Sequence, residues 1–338
     1  MPIYMDRHDL NGVTVEEVEA AHQRDLNLQS DFKCKSIFFW HDVSKGAGFC
    51  LFEAPDKESI INLHNTAHVG SPAQIIKVEL NEVEFFLGKL ADLAWLEKRP
   101  DFNGIITETA HRTIMYLEIE NPLILKLPIK KNKFTDLLKL QKKFIKDSFL
   151  KFEGYVVSWE HNSILTSFAS EENAIVCAAD IQSKFIKLSE IENIKFSVSI
   201  GLNLGAPVAN SDELFGDAIH LAKQLEYVAG ENQIIISSSL GKAYNEFKFK
   251  TELKNSFIKV LSSRYEDFLI KLFETFEKSW NEEEFNIDSL VKQFGMSRAQ
   301  LYRRITDLTG YSPNNFIRGI IKSGFIRNFR NIAFLYFN

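Results

Sequence analysis

Near the C-terminal end, Ile287, Leu290, Val291 and Phe294 recur at i, i+3, i+4 and i+7, the spacing that lines one face of a helix. Gly295 follows, the residue that most readily lets a chain turn left-handed after a helix. Ser297 is placed to cap a second helix. In that helix Leu301, Ile305 and Leu308 form the buried face, and Gln300, Arg303, Arg304 and Asp307 are left outside. The pattern predicts a helix-turn-helix. Such a pair, the second helix exposing Arg and Gln, can present side chains to base edges and phosphates.

Upstream the periodicity changes twice. Residues 1 to 85 predict a strand at Pro2 to Met5, then a helix from Thr14 to Leu26 opened by a Thr14 to Glu17 capping box. Strands at Cys34 to Asp42 and Phe49 to Glu53 flank a hairpin turn. A second helix runs from Asp56 to His68, and a strand from Ala73 to Glu79. The order βαββαβ implies a ferredoxin-like sandwich. Residues 86–111 read as a linker with a short helix near Leu87 to Leu96 and a turn at Pro100 to Gly104.

From 112 to 245 the pattern alternates. A strand at Arg112 to Glu120 precedes a helix at Phe134 to Phe152, a hairpin of Gly154 to Trp159 with Ser163 to Phe168, and a helix at Ala174 to Lys187. A strand at Phe196 to Leu202, a helix at Ala218 to Ala229 and a strand from Gln233 complete an α/β sandwich. Residues 246–280, rich in Phe, Lys and Glu at helical spacing, read as a helical connector, and 281–338 as the all-α C-terminal part. The expected class is α+β.

Charge sharpens this division. The chain carries −5 overall, yet between Phe285 and Asn338 eight Lys and Arg face only Asp288 and Asp307, a local +6 against −11 elsewhere. Such segregation favours a polyanion partner at that end, and double-stranded DNA is the one expected. Three scattered cysteines, Cys34, Cys50 and Cys177, argue against a disulfide framework or a zinc ribbon. Met1 to His8 has neither a basic nor an apolar leader region, and no apolar run reaches membrane-spanning length, so the expectation is a cytoplasmic protein without membrane contact.

Histidine is concentrated at the other end. Five of the eight, His8, His22, His41, His64 and His68, fall in the first 68 residues. His64 and His68 are four apart on one helix face, His22 and Asp25 three apart on another, and Asp6 and His8 share one side of a strand. Imidazole and carboxylate at such spacings suit Ni2+ or another divalent transition metal. Asp6, His8, His22, Asp25, His64 and His68 are therefore the candidate ligands; a packed interface of hydrogen-bonded histidines is the other reading of the same residues.

Three family resemblances bear on these modules. Positions 287 to 318, with Gly295-Met-Ser, Leu301-Tyr-Arg, Thr309-Gly and Ser312-Pro, resemble the first helix-turn-helix of AraC-type transcription regulators. That family carries two such motifs and this chain ends soon after the first, which reads as a truncated unit. The resemblance implies DNA contact through Ser297, Arg298, Gln300, Arg303, Arg304 and Arg318. Tyr4-Met-Asp-Arg-His8, Ala21-His-Gln-Arg-Asp-Leu26, Phe49-Cys-Leu-Phe-Glu-Ala-Pro-Asp56 and the His64/His68 pair resemble a family of nickel-binding, ferredoxin-like bacterial proteins.

Ser199-Ile-Gly-Leu-Asn-Leu-Gly205, Leu214-Phe-Gly-Asp217 and Leu225-Glu226 are similar to class III adenylate/guanylate cyclases. Cyclisation needs two metal-holding carboxylates and a polar pair that stabilises developing charge. Aligned by phrase, Glu118 supplies one carboxylate, Asn162 replaces the other, and His220 and Gln224 stand where the family has Asn and Arg. This implies a pseudo-cyclase that pairs subunits as a homodimer. The expected whole is a metal- or effector-sensing, DNA-binding regulator; the alternatives are a divergent nucleotide cyclase and a metal-binding protein that no longer meets DNA.

Overall fold

A computed structural model describes residues 1–68, 72–88, 105–106, 109–120, 131–251, 257–279 and 286–323. The predicted turn at 100–104, most of the predicted helix at 87–96, and Arg327 and Arg330 lie outside them. The chain forms two compact units: residues 1–113 together with 167–170 and 204–218, and the remainder. Among the described residues no helix is long and apolar enough to cross a membrane.

The first unit opens with β1 (Ile3–Asp9), α1 (Val15–Leu28), β2 (Lys35–Asp42), β3 (Ala47–Glu53), α2 (Lys57–Ala67) and β4 (Gln74–Val78). The sheet order β4-β1-β3-β2 is antiparallel throughout, the ferredoxin-like arrangement. Local chemistry explains the boundaries. Thr14 and Glu17 form the reciprocal capping box on α1, and Asp56 caps α2 through the Ser59 backbone N–H at 2.8 Å. Gly46 closes the β2–β3 connection at φ 60°, a left-handed conformation that costs glycine least.

One expectation for this region changes. Ahead of the expected linker, α3 (Leu80–Leu87) begins at Glu79 and buries Val83, Phe86 and Leu87. Within the expected linker, β5 (Ile105–Ile106) adds to the sheet as a parallel edge beside Phe39 and Trp40 of β2. Segment 204–218 joins the same unit: Gln74 donates to the Ser211 carbonyl at 3.0 Å, and Phe215 stacks on Phe86 with ring centres 4.7 Å apart.

The second sheet holds β6 (Arg112–Glu120), β7 (Tyr155–Glu160), β8 (Ser163–Phe168), β9 (Ser197–Gly205), β10 (Ile234–Ile236) and β11 (Ile258–Val260), in the order β11-β10-β9-β6-β8-β7. Its helices are α4 (Lys131–Lys151), α5 (Glu171–Glu192), α6 (Gly216–Val228) and α7 (Gly241–Thr251). β9 is a central strand of this sheet. Residues Ser197 to Asn203 of β9 are all buried, as a strand covered on both faces must be.

What the sequence assigns to a connector is a structural hub. β11 pairs in parallel with β10, and α8 (Ser263–Ser279) follows it. Phe268, Leu269, Leu272, Phe273 and Phe276 of α8 join Leu225 and Val228 of α6 in one core. The same core takes in Leu290 and Phe294 of α9 (Ile287–Phe294), Leu301, Ile305 and Leu308 of α10 (Arg298–Thr309), and Phe316 and Ile320 of α11 (Pro313–Ser323). Gly295 ends α9 at φ 60°, and Ser297 and Gln300 cap α10 reciprocally.

Gly201 of β9 is where α6 comes closest to the sheet. A Cβ there would lie 2.1 Å from the Ala222 carbonyl oxygen and 2.4 Å from the Glu226 backbone nitrogen. Neither backbone atom can step aside without moving the helix. Gly201→Ala is therefore expected to cost about 3 kcal/mol, the upper part of the range for overpacking. Urea melts of the variant against the parent chain check this, and an unchanged midpoint would mean that α6 is not seated on β9 in this way.

Candidate metal centre

β1 pairs with β3 so that Asp6 stands opposite Cys50, and alternation along the strand puts His8 on the same face. Helix α2 carries His64 over that face, and α1 brings Asp25 beside it. Asp6 is wholly buried. Its Oδ1 accepts the Cys50 backbone N–H at 3.0 Å and its Oδ2 meets His64 Nε2 at 2.8 Å. On the other edge of the same ring, His64 Nδ1 lies 3.1 Å from His68 Nε2 and 3.3 Å from Asp25 Oδ1. His68 Nε2 is 3.4 Å from Asp25 Oδ2, and His8 Nε2 is 3.4 Å from Asp6 Oδ1.

The structure thus gathers Asp6, His8 and His64 with Cys50 in one group, and Asp25, His64 and His68 in another that shares His64. His22 joins neither. Its ring stacks on Phe39 at 4.9 Å and lines a cavity of about 730 Å3 with His8, Asp25, Cys50 and His68. Cys50 is the residue that composition misses: three scattered cysteines suggest no site, and only the pairing of β1 with β3 sets this one beside Asp6. His41 lies apart, and Asp42 instead pairs with His111, Nδ1 to Oδ2 at 2.9 Å.

Electrostatics follow from burial and neighbours. Burial opposes the charged form of Asp6, but His8 and His64 outweigh it and hold the carboxyl well below its usual range. Asp25 is likewise buried, and its bonds to His64 and His68 bring it down to about 2. Burial alone would lower His64, yet the two carboxylates Asp25 and Asp6 raise it to about 10. His22, where burial dominates over Asp25, falls to about 4.

These residues fit a divalent ion. Among the described residues buried His22 Nδ1 has no hydrogen-bond partner, and His8 Nε2 and Asp25 Oδ1 have only the long contacts to Asp6 and His64, a costly state for buried polar atoms that coordination would relieve. Two imidazole nitrogens 3.1 Å apart can either share a proton or face a common ion. Asp6, bonded to His64 Nε2, has the place of the carboxylate that orients a metal-bound histidine and fixes its tautomer.

Residues 4–78 match the family model of the nickel responsive protein SCO4226-like. The first module is SCO4226-like. A solved SCO4226 from Streptomyces coelicolor A3(2) is 30% identical, covering 23% of this chain and 96% of that one at a TM-score of 0.22. A 90-residue stretch is 28% identical to a putative adenylate cyclase 3 of Rhizobium meliloti (strain 1021); it is 26% of this chain and 15% of that relative's length. An adenylate/guanylate cyclase/hydrolase from Silicibacter pomeroyi is 20% identical over 40% of this chain and 80% of its own, at a TM-score of 0.35. The chain thus carries an SCO4226-like module and a stretch similar in sequence to a putative adenylate cyclase, of which it spans 15% of the length.

The structure places the four residues expected at the positions of cyclase chemistry, Glu118, Asn162, His220 and Gln224, as follows. Glu118 is exposed on β6, where partial desolvation and then the Glu120 charge raise its pKa. Asn162 sits exposed in the β7–β8 turn, and His220 is half-buried on α6. Gln224 is buried, and its Oε1 has no hydrogen-bond partner among the described residues. Glu226, which the sequence leaves as part of a phrase, is buried against Ser199 with a carboxyl pushed well above its usual range by burial and by Glu118.

At the C-terminal end Arg298, Gln300, Arg303 and Arg318 are exposed, while Arg304 is half-buried over the Phe268 ring at 5.4 Å. Ser297 and Gln300 are occupied in capping each other. Arg298 lies 3.7 Å from Asp288.

The opposite shifts of His64 and His22 lead us to expect a stability maximum in pH. His64, at about 10 against an ordinary 6.5, stabilises the fold fully below pH 6.5 and loses that contribution as pH rises through 10. His22, at about 4 against 6.5, contributes stability above pH 6.5 that is lost as pH falls through 4. Urea melts followed by fluorescence of buried Trp40 should show greatest stability near pH 6.5. A profile flat from pH 4 to pH 10 would contradict these opposite shifts.

Proposed function

We propose that this chain is a metal-responsive regulator in which the SCO4226-like module takes up Ni2+ or a divalent ion of similar preference. Asp25, His64 and His68, with His8, His22 and Cys50 at the same cavity, are the residues that would hold it, and Asp6 would orient His64. The observation that carries this reading is the buried cluster of imidazoles and carboxylates beside the unpartnered ring nitrogen of His22. A bound divalent ion would supply positive charge at the centre of the module. The chain's own part is to release the His64 proton, since a histidine ligates with a neutral nitrogen.

The downstream output fits subunit pairing through the cyclase-like domain and contact with double-stranded DNA through α10. The exposed guanidinium groups of Arg298, Arg303 and Arg318 and the +6 charge of the C-terminal stretch support the DNA contact. Ion binding would bias one arrangement of the pair and so change the separation of the two α10 helices. A second reading, a divergent nucleotide cyclase, is favoured by the exposed Glu118 carboxylate and the likeness to a putative adenylate cyclase.

Calorimetric titration of the chelator-stripped chain with Ni2+ is expected to show saturable binding that weakens at least about tenfold in His64→Ala/His68→Ala. Repeating the titration in buffers of different ionisation enthalpy should reveal proton release. Absence of binding, or binding indifferent to both histidines, would end the metal reading. For the output, a duplex-binding salt titration should give a slope that flattens in Arg298→Ala/Arg303→Ala. Cyclic nucleotide formed from ATP or GTP with Mn2+, and abolished by Glu118→Ala, would replace that output with catalysis.

A further inference from the structure

Helix α8 and helix α10 line a cavity of about 390 Å3 at the C-terminal end. Its walls include Arg264 and Tyr265 from the start of α8, and Gln300, Arg303, Arg304 and Asp307 from α10. Three guanidinium groups converge there against a single carboxylate. None of the three forms an ion pair with any described residue, whereas Arg298 nearby lies 3.7 Å from Asp288. Arg304 is held in place by the Phe268 ring, and Gln300 by its bond to the Ser297 backbone.

We infer that this cavity binds a small phosphate-bearing anion, with Arg264, Arg303 and Arg304 as its charged cradle. Like charges brought together at a concave surface repel one another, and an anion placed among them turns that cost into attraction. Guanidinium is the group that meets a phosphate with two parallel N–H donors, and three such forks suit a ligand carrying two or more negative charges. The volume falls within the range of small-molecule sites, about 300–1,000 Å3, so there is room for more than a bare oxyanion. Tyr265 and Met296 add an aromatic and an aliphatic wall.

The cradle draws one Arg from α8 and two from α10, so a ligand seated in it would tie those helices together and cover Arg303. A phosphate can also come from a duplex backbone, and the two sources are separable. The probes are inorganic pyrophosphate and ADP, titrated into the full chain with chelator present to exclude metal-mediated binding. Both are expected to bind saturably, to raise the melting temperature, and to lose about tenfold or more in affinity in Arg264→Ala and in Arg303→Ala, as charged hydrogen bonds do when removed.

Circular dichroism of the variants guards against misfolding, and Arg264, exposed at the start of α8, is the substitution least able to disturb the core. No binding of either probe in the millimolar range, or binding unaltered in Arg264→Ala/Arg303→Ala, would overturn the proposal. So would a short duplex whose binding depends on both arginines and which neither probe displaces, since the cradle would then serve a backbone phosphate. The outcome does not depend on whether the SCO4226-like module binds metal.

Discussion

A carboxylate with no solvent exposure, Asp6, lies at the centre of the first module, and its charge has to be met from within the protein. An isolated buried carboxylate is so unfavourable that it would take up a proton. The Cys50 backbone N–H and the His64 ring prevent that, and Asp25 draws the far edge of the same ring. One histidine is thereby held between two acids. The geometry of β1, β3, α1 and α2 around it is what makes this possible, because no two of the three residues are neighbours in sequence. The same arrangement leaves His22 Nδ1 without a hydrogen bond among the described residues, and His8 and Asp25 with only long contacts, so relief of the charge and readiness for a cation have one cause.

The second unit is organised by a different constraint, the burial of aromatic surface. Phe268, Phe273 and Phe276 of α8 share one hydrophobic core with residues of α6, α9, α10 and α11, and Phe273 meets both Tyr227 of α6 and Phe316 of α11. Phe273 and Phe316 approach edge to face with centres 6.3 Å apart, and Phe268 and Phe294 with centres 5.2 Å apart, a favoured aromatic geometry. The C-terminal helices thus share a core with the cyclase-like sheet. Helix α8 also sets Arg264 beside Arg303 and Arg304, so one packing decision produces both the core and the convergence of charge at its rim.

Elements governed by local chemistry were legible from the chain. The capping pairs Thr14 with Glu17 and Ser297 with Gln300, the left-handed glycines Gly46 and Gly295, and the strands β2, β3 and β6 follow from propensities within a few residues. Errors arose where distant partners decide. β11 is too short to announce itself and exists because β10 offers a parallel edge. β5 is two residues long and depends on β2 in the same way. Segment 204–218 lies within the cyclase-like stretch of sequence but belongs to the first unit, because Phe215 finds Phe86 there.

The amino-acid order by itself determined the ferredoxin-like alternation, the four-residue spacing of His64 on α2 from His68 at its end, the amphipathic helices near the end and the segregation of positive charge. Each is a matter of spacing, and spacing is a one-dimensional property. Tertiary structure alone decided that Cys50 stands beside Asp6, that His64 is shared by two carboxylates while His22 turns towards Phe39, and that Arg304 folds onto Phe268 while Arg303 stays exposed. Those outcomes depend on strand register and helix packing, which come from burying apolar area across the chain and cannot be read from any one stretch of it.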